Sequence, residues 1–165
     1  MLEGWEKHFL GSFMEFKNGL NAEKEAYGTG MKFVNIFASA GLRADSIIGS
    51  VKATKSAARE NSVEFGDILF NRTSETPEDI ACASVYLDER PITFGGFVIR
   101  GRQTKKLLDA EYCKYVFRAD VVRREIIRRG QGAVRANIGQ QDLCKVPISI
   151  PPLPEQRRIA EILRT

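Results

Sequence analysis

The sequence contains one histidine, His8. A multi-histidine metal centre is therefore excluded, and a Ser-His-Asp triad would have to use this residue, which sits beside Lys7 and Phe9 as a surface or packing residue would. The three cysteines, Cys82, Cys113 and Cys144, include no close pair, which argues against a disulfide framework or a zinc knuckle. They read as small buried hydrophobes. No apolar run approaches the ~20 residues needed to span a bilayer, and no N-terminal stretch joins basic residues to a long apolar segment. A soluble, cytoplasmic chain without membrane contact is expected. The glycine patterns GxxxxGKS/T and GxGxxG are both absent, so nucleotide binding through them is unsupported.

What is present is enough for one ordinary domain: 165 residues, 43% of them apolar. The net charge of +4 is modest but unevenly placed. Positions 1–110 carry 14 Lys and Arg against 15 Asp and Glu, whereas positions 111–165 carry 11 against 6. A basic C-terminal side of this kind is what a nucleic-acid-binding face looks like, although many basic surfaces bind nothing in particular.

The N-terminal segment GWEKHFLGSFMEFKNGLN offers Trp5, Phe9, Leu10 and Phe13 as core anchors before a break at Asn18-Gly19. After a polar, glycine-bearing stretch from Asn21 to Gly30, MKFVNIF at 31–37 is rich in strand-forming residues. Lys52, Lys55 and Arg59 are spaced by three and four, so on a helix they share one face, open to solvent or to phosphates. Gly66-Asp67 makes a tight turn into a buried strand over Ile68–Phe70. Asn71, Arg72, Thr73 and Ser74 follow at once. They are either an ordinary polar turn or a set of groups able to reach phosphates and base edges from a rigid base.

Two further strands are expected around Ser84–Leu87 and Thr93–Arg100, joined as a hairpin by the turn Asp88–Pro91, with a bulge or close backbone approach at Gly95-Gly96. From Ala110 to Arg129 the period becomes helical. Tyr112, Tyr115, Val116, Ala119, Val122 and Ile126 form the packed face, Arg124, Arg128 and Arg129 lie mainly outside it, and Gly130 ends the helix in a left-handed conformation. Gln131, Arg135 and Asn137 fall in a glycine-rich loop that either enters a groove or, for Asn137, caps a short segment over Ile138–Leu143.

Four of the six prolines lie between Val146 and Pro154, which makes Val146–Leu153 a stiff extended connector. Pro154 suits the first turn of a helix, Glu155 complements its positive end, and Ile159, Ile162 and Leu163 recur as one apolar stripe. That stripe either folds back on its own domain or begins a longer interaction helix.

IPPLPEQRRIAEIL resembles the junction between a target-recognition domain and the long spacer helix in specificity subunits of type I restriction-modification systems. The segments GWEKHFLGSF, VEFGDILFNRTS and GQGAVRANIGQQDLCKVPISIPPLPEQ resemble the same family, and residues 38–61 fall where its members vary with their DNA target. The resemblance implies an α+β fold, a twisted, mostly antiparallel sheet flanked by helices, with the proline connector leading to a C-terminal helix. It divides the chain into a recognition domain (1–146), a connector (147–153) and the start of a spacer helix (154–165). Family members typically hold two such domains, so the chain corresponds to one half of that plan.

The implied function is sequence-specific binding of duplex DNA without catalysis in this chain, consistent with the lack of an NPPY-type methyl-transfer motif. Lys52, Lys55, Arg124, Arg128 and Arg129 would neutralise phosphates, while Asn71, Arg72, Gln131 and Arg135, with the Thr73 and Ser74 hydroxyls, would approach the DNA at bases or phosphates. Methyltransferase and restriction subunits would bring S-adenosylmethionine and ATP with Mg, and a second copy or second recognition domain would complete the assembly. The alternative is a protein-interaction module that dimerises or docks through its C-terminal helix.

Overall fold

Ile68, Leu69 and Phe70 are all buried, yet Ile68 and Phe70 enter one hydrophobic cluster and Leu69 another. Successive side chains on a strand point to opposite faces, so this strand must be covered on both. The structure, a computed structural model, describes residues 2–35, 37, 39–132 and 136–164. In chain order its elements are β1 (Glu6–Phe9), β2 (Met14–Asn18), β3 (Tyr27–Val34), β4 (Gly41–Leu42), β5 (Ser50–Val51), α1 (Lys55–Glu60), β6 (Ser62–Val63), β7 (Ile68–Asn71), β8 (Thr73–Ser74) and β9 (Ala83–Tyr86). They continue with β10 (Ile92–Phe94), β11 (Val98–Gln103), α2 (Ala110–Val116), α3 (Asp120–Ile127), β12 (Ala136–Asn137), α4 (Gln140–Cys144), β13 (Pro147–Ile150) and α5 (Leu153–Arg164).

The α+β class is as expected, but the strands divide between two main sheets. One has five strands in the order β2-β11-β7-β9-β4, antiparallel except for β4 on β9. The other has four, β5-β3-β10-β6, with β3 and β10 parallel. Phe70, Val85 and Ile99 face the larger core, where Tyr112, Phe117, Val122, Ile126, Leu143 and Ala160 from the helical side meet them. Leu69, Tyr86 and Val98 face the second core, shared with Val34, Val63, Ile92 and Phe94. Phe70 is the hinge of the larger core, edge-on to Phe117 at 5.4 Å between ring centres and tilted against Phe16 at 6.1 Å.

Several local expectations change. The strand foreseen at 31–37 begins at Tyr27 and stops at Val34; the glycines at 28 and 30 are taken into it with positive φ angles of 102° and 104°. Ile36 lies outside the described residues. Lys52 is not on a helix with Lys55 and Arg59: it follows β5, and Thr54 caps α1 by accepting the Ala57 N–H at 3.0 Å. The hairpin across Asp88–Pro91 does not form, because β9 pairs with β7 and β4 whereas β10 joins the other sheet.

The long helix over 110–129 is two helices broken at Ala119, whose ψ of 141° is extended. Tyr112, Val116, Val122 and Ile126 are buried as the period requires, while Ala119 is exposed. Gly130 keeps an ordinary backbone, and Gly132 takes the left-handed conformation at φ 102°. Asn137 is a strand residue, and the Gly139 N–H at the start of α4 is instead bound by Asp142 at 3.0 Å. Phe9, expected in the core, is 52% exposed, and Cys113 alone of the cysteines is fully buried, Cys82 and Cys144 being half-buried.

The proline segment is drawn into a ladder: β13 runs antiparallel to β1, with Glu6 opposite Ile150 and Phe9 opposite Pro147. Pro154 then occupies the first turn of α5. The buried face of that helix is set by Gln156 and Ala160, with Ile159 partly buried beside them; Ile162 and Leu163 are 62% and 53% exposed. Trp5 Nε1 donates to Glu155 at 3.1 Å, and Gln156, fully buried, donates to the carbonyls of Leu107 and Pro151 and accepts the Asp109 N–H.

A carboxylate clasp holds the loop after β4. Asp88 accepts the Ala44 N–H at 2.9 Å and the Arg90 guanidinium at 2.7 Å, and Arg90 also reaches Asp45 at 2.7 Å. The Arg90 hydrogen bond, followed by that of Ala44, holds the Asp88 carboxyl well below the usual carboxylate range. A depressed folded value contributes stability that is present above the ordinary carboxylate pKa and lost as pH falls towards the folded one. Urea midpoints are therefore expected to fall as pH is lowered from about 5 towards 2. Asp88→Asn should be less stable at neutral pH and show a shallower fall, and an equal slope in both proteins would refute this.

Candidate nucleic-acid interface

The polar residues after β7 do not form a loose turn. Arg72 donates its backbone N–H to the Phe97 carbonyl at 2.9 Å, and its own carbonyl accepts the Ile138 N–H at 3.0 Å. Thr73 and Ser74 form β8, paired antiparallel to Asn137 and Ala136 of β12. Gln131 extends the row, exchanging both backbone hydrogen bonds with Asn137 at 2.7 and 2.8 Å. The fold thus brings Asn71, Thr73, Ser74 and Gln131 together, and Asn137 with them.

These strands form one wall of an open cleft of about 470 Å³. Asn71, Thr73, Ser74, Glu75 and Asn137 line the cleft together with Asn35, Phe37 and Phe97. Asn71 donates through Nδ2 to the Asp79 carbonyl at 3.3 Å, and the Ser74 hydroxyl donates to the Thr76 carbonyl. Carboxamides of Asn35, Asn71 and Asn137 stand there beside two hydroxyls and two rings, the Asn71 oxygen buried and the Asn35 oxygen holding the Phe97 N–H, a mixture of polar and aromatic groups suited to base edges. Among the described residues, no group of three or more His, Cys, Asp or Glu is placed to hold a metal ion.

The basic residues stand at different distances from this cleft. The end of α3 runs through Gly130 into Gln131, which places Arg128 and Arg129 within a few residues of the β12 ladder. Arg129 contacts Glu125 at 2.8 Å and Arg128 contacts it at 3.3 Å. The Arg129 hydrogen bond is the main reason the Glu125 carboxyl lies below its ordinary range. Two arginines share one carboxylate, so a positive charge remains, and exposed Arg124 adds to it. Arg123, by contrast, is committed to the fold, donating to the carbonyls of Glu78 and Ile80 at 2.7 Å.

Lys52 and Lys55 are elsewhere. A Cβ placed on Gly30 would lie 3.1 Å from the Lys52 Cα, which puts Lys52 beside Gly30 on β3. Five residues separate Gly30 from Asn35, about 16 Å at strand rise. Both lysines are exposed, and neither lines the cleft. Arg135 lies outside the described residues.

The family model for the type I restriction modification DNA specificity domain matches residues 2–165. The chain belongs to that family. No curated protein sequence matches it. Among solved structures, the specificity domain resembles a chain from a study of complex assembly and conformational transition of the type I R-M system, with a TM-score of 0.71 at 21% identity over 99% of this chain and 38% of that one. It resembles the HsdS subunit from Thermoanaerobacter tengcongensis with a TM-score of 0.69 at 21% identity, over 99% of this chain and 37% of that one. For the type I restriction-modification S subunit from M. genitalium the TM-score is 0.64 at 19% identity, over 97% and 38%. The chain therefore spans under two fifths of the length of these relatives, and at such identities the likeness establishes the fold.

Asn35, Phe37, Glu75 and Phe97 are cleft residues that the sequence did not point to, and Asn137, weighed there as a helix cap against a groove residue, lines the cleft as well. The pair Gly95-Gly96 followed by an aromatic was the available signal for Phe97. For Asn35 there was none, since its place in the site comes from the parallel pairing of β3 with β10.

Proposed function

We propose that this specificity domain reads duplex DNA sequence-specifically, as the module that directs methyltransferase and restriction subunits to a target. The observation that carries the reading is the cleft at the end of β7, where hydrogen-bonding side chains and aromatic rings meet, with Arg128 and Arg129 a few residues before Gln131 in the chain. Asn71, Thr73, Ser74, Gln131 and Asn137 approach base edges, as do Arg72, between β7 and β8, and Arg135. Arg124, Arg128 and Arg129 neutralise phosphates, and Lys52 and Lys55 extend that neutralisation along the duplex. S-adenosylmethionine and ATP with Mg belong to the partner subunits in this proposal.

Residues 1–146 act as the recognition unit, 147–153 as connector and 154–165 as the first turns of a spacer helix. The exposed Ile162 and Leu163 support a second reading, an interaction module whose helix meets a second copy or a methyltransferase.

A selection from random duplexes separates the two, performed with the chain alone and again with its partner methyltransferase. Enrichment of a motif is expected, and Arg124→Ala should then reduce the slope of log affinity against log salt by about 0.9 for each phosphate that Arg124 neutralises. No enriched motif in either format, with the chain dimeric or methyltransferase-bound on size-exclusion, would overturn DNA reading in favour of the interaction module.

A further inference from the structure

Phe97 combines two properties that rarely meet: its side chain is exposed and its backbone is held from several sides. The residue is 55% exposed and belongs to neither hydrophobic cluster, whereas Phe37, which lines the same cleft, packs against the second core. Its N–H donates to the Asn35 side-chain oxygen at 3.0 Å, and its carbonyl accepts the Arg72 N–H at 2.9 Å. The turn beneath it is closed by the Val98 N–H on the Gly95 carbonyl at 3.0 Å. The Gly95 N–H is bound by Val34 at 2.9 Å and the Gly96 N–H by Leu20 at 3.1 Å.

The two glycines are required by this arrangement. A Cβ on Gly95 would collide with the Asn35 carboxamide that holds Phe97, and one on Gly96 would collide with that of Asn21. The turn is thus built to hold the Phe97 ring, which lines the cleft, on a rigid base. A ring that contributes nothing to either core, yet costs a hydration penalty where it stands, fits an apolar surface supplied by a ligand.

We propose that Phe97 is a specificity-determining residue whose ring takes the apolar surface of one base pair in the target. This rests on the DNA-reading proposal and deepens it. The shared chemistry has two sources in a duplex: the face of a base at a partly opened step, or the 5-methyl group of thymine. Hydrogen-bonding groups deeper in the cleft then read the neighbouring edges.

The test uses the selected duplex and a scrambled duplex of the same length, with Phe97→Ala and Phe97→Trp compared with the parent chain. Phe97→Ala should weaken binding of the selected duplex by about tenfold or more while leaving the scrambled duplex and the salt slope unchanged. Phe97→Trp should retain most of the affinity, and both variants should keep the parent circular dichroism spectrum and melting temperature.

If a step opens, 2-aminopurine at that position brightens with the parent chain and stays dark with Phe97→Ala. If a methyl group is taken, uracil at one thymine reproduces the loss. Equal affinity of Phe97→Ala and parent for the selected duplex, or an equal loss on both duplexes, overturns the assignment while DNA reading stands. Failure of the parent to select any motif overturns both, so the two failures are distinguishable.

Discussion

Phe70→Ala is expected to lower stability by about 3–5 kcal/mol, the range for truncating a large ring in a packed core. For a chain of this length that corresponds to a fall on the order of 10 °C in melting temperature. The ring is fully buried, and both of its aromatic neighbours, Phe16 and Phe117, would face the void. Phe117 arrives from the helical side and Phe16 from the adjoining part of the sheet, so one truncation loosens the joint between them. Asn71, Thr73 and Ser74, which follow, line the cleft, so on the DNA-reading proposal DNA affinity should fall with stability. Calorimetry on the purified variant measures the first effect; a loss below ~1 kcal/mol would mean that this core can collapse to fill the space.

Gln156→Leu should be the second most damaging change, about 3 kcal/mol, although it replaces a polar residue by an apolar one of similar size at a fully buried position. The gain from an apolar side chain is outweighed because three backbone groups depend on the carboxamide. The carbonyls of Leu107 and Pro151 lose donors at 2.7 and 2.8 Å, and the Asp109 N–H loses an acceptor at 2.8 Å. Each unsatisfied buried group costs about 1–3 kcal/mol. Asp109 is also the cap of α2, accepting the N–H groups of Glu111 and Tyr112, so the damage extends beyond α5. Denaturant titration of Gln156→Leu against the parent decides this, and unchanged midpoints would refute it. Gln156→Glu should not rescue, because a carboxylate oxygen would then face two carbonyls.

Gln156 also shows where sequence reasoning stops. The Glu-Gln pair is visible as part of a motif and the helix start as a proline signal. What the glutamine bonds to is not, because Leu107 and Asp109 lie 49 and 47 residues away in sequence. Side-chain periodicity is a sound guide to faces: Tyr112, Val116, Val122 and Ile126 are buried as their spacing requires. It does not locate the break at Ala119, since a helix interrupted by an extended residue can resume with a similar apolar pattern.

The strand over Ile68–Phe70 is readable, but an all-apolar triplet says only that both sides are covered, not by which elements. The same limit applies to the cleft. Asn71, Thr73 and Ser74 are contiguous and follow a strong strand signal, whereas Asn35, Phe97 and Asn137 join them only through pairings between distant segments. Lys52 and Lys55 stand out in the sequence by charge and spacing alone, and neither lines the cleft.

The ladder between Glu6–Phe9 and Pro147–Ile150 has a kinetic consequence. Its partners are separated by nearly the whole chain, so no local turn can nucleate it, and closing so long a loop carries a high entropic cost. Pairings of such high contact order slow folding, and this one must wait until residue 150 is available. On the ribosome the two main sheets can assemble while the first strand still has an unpaired edge. The element that finally covers that edge is the one that leads directly into α5.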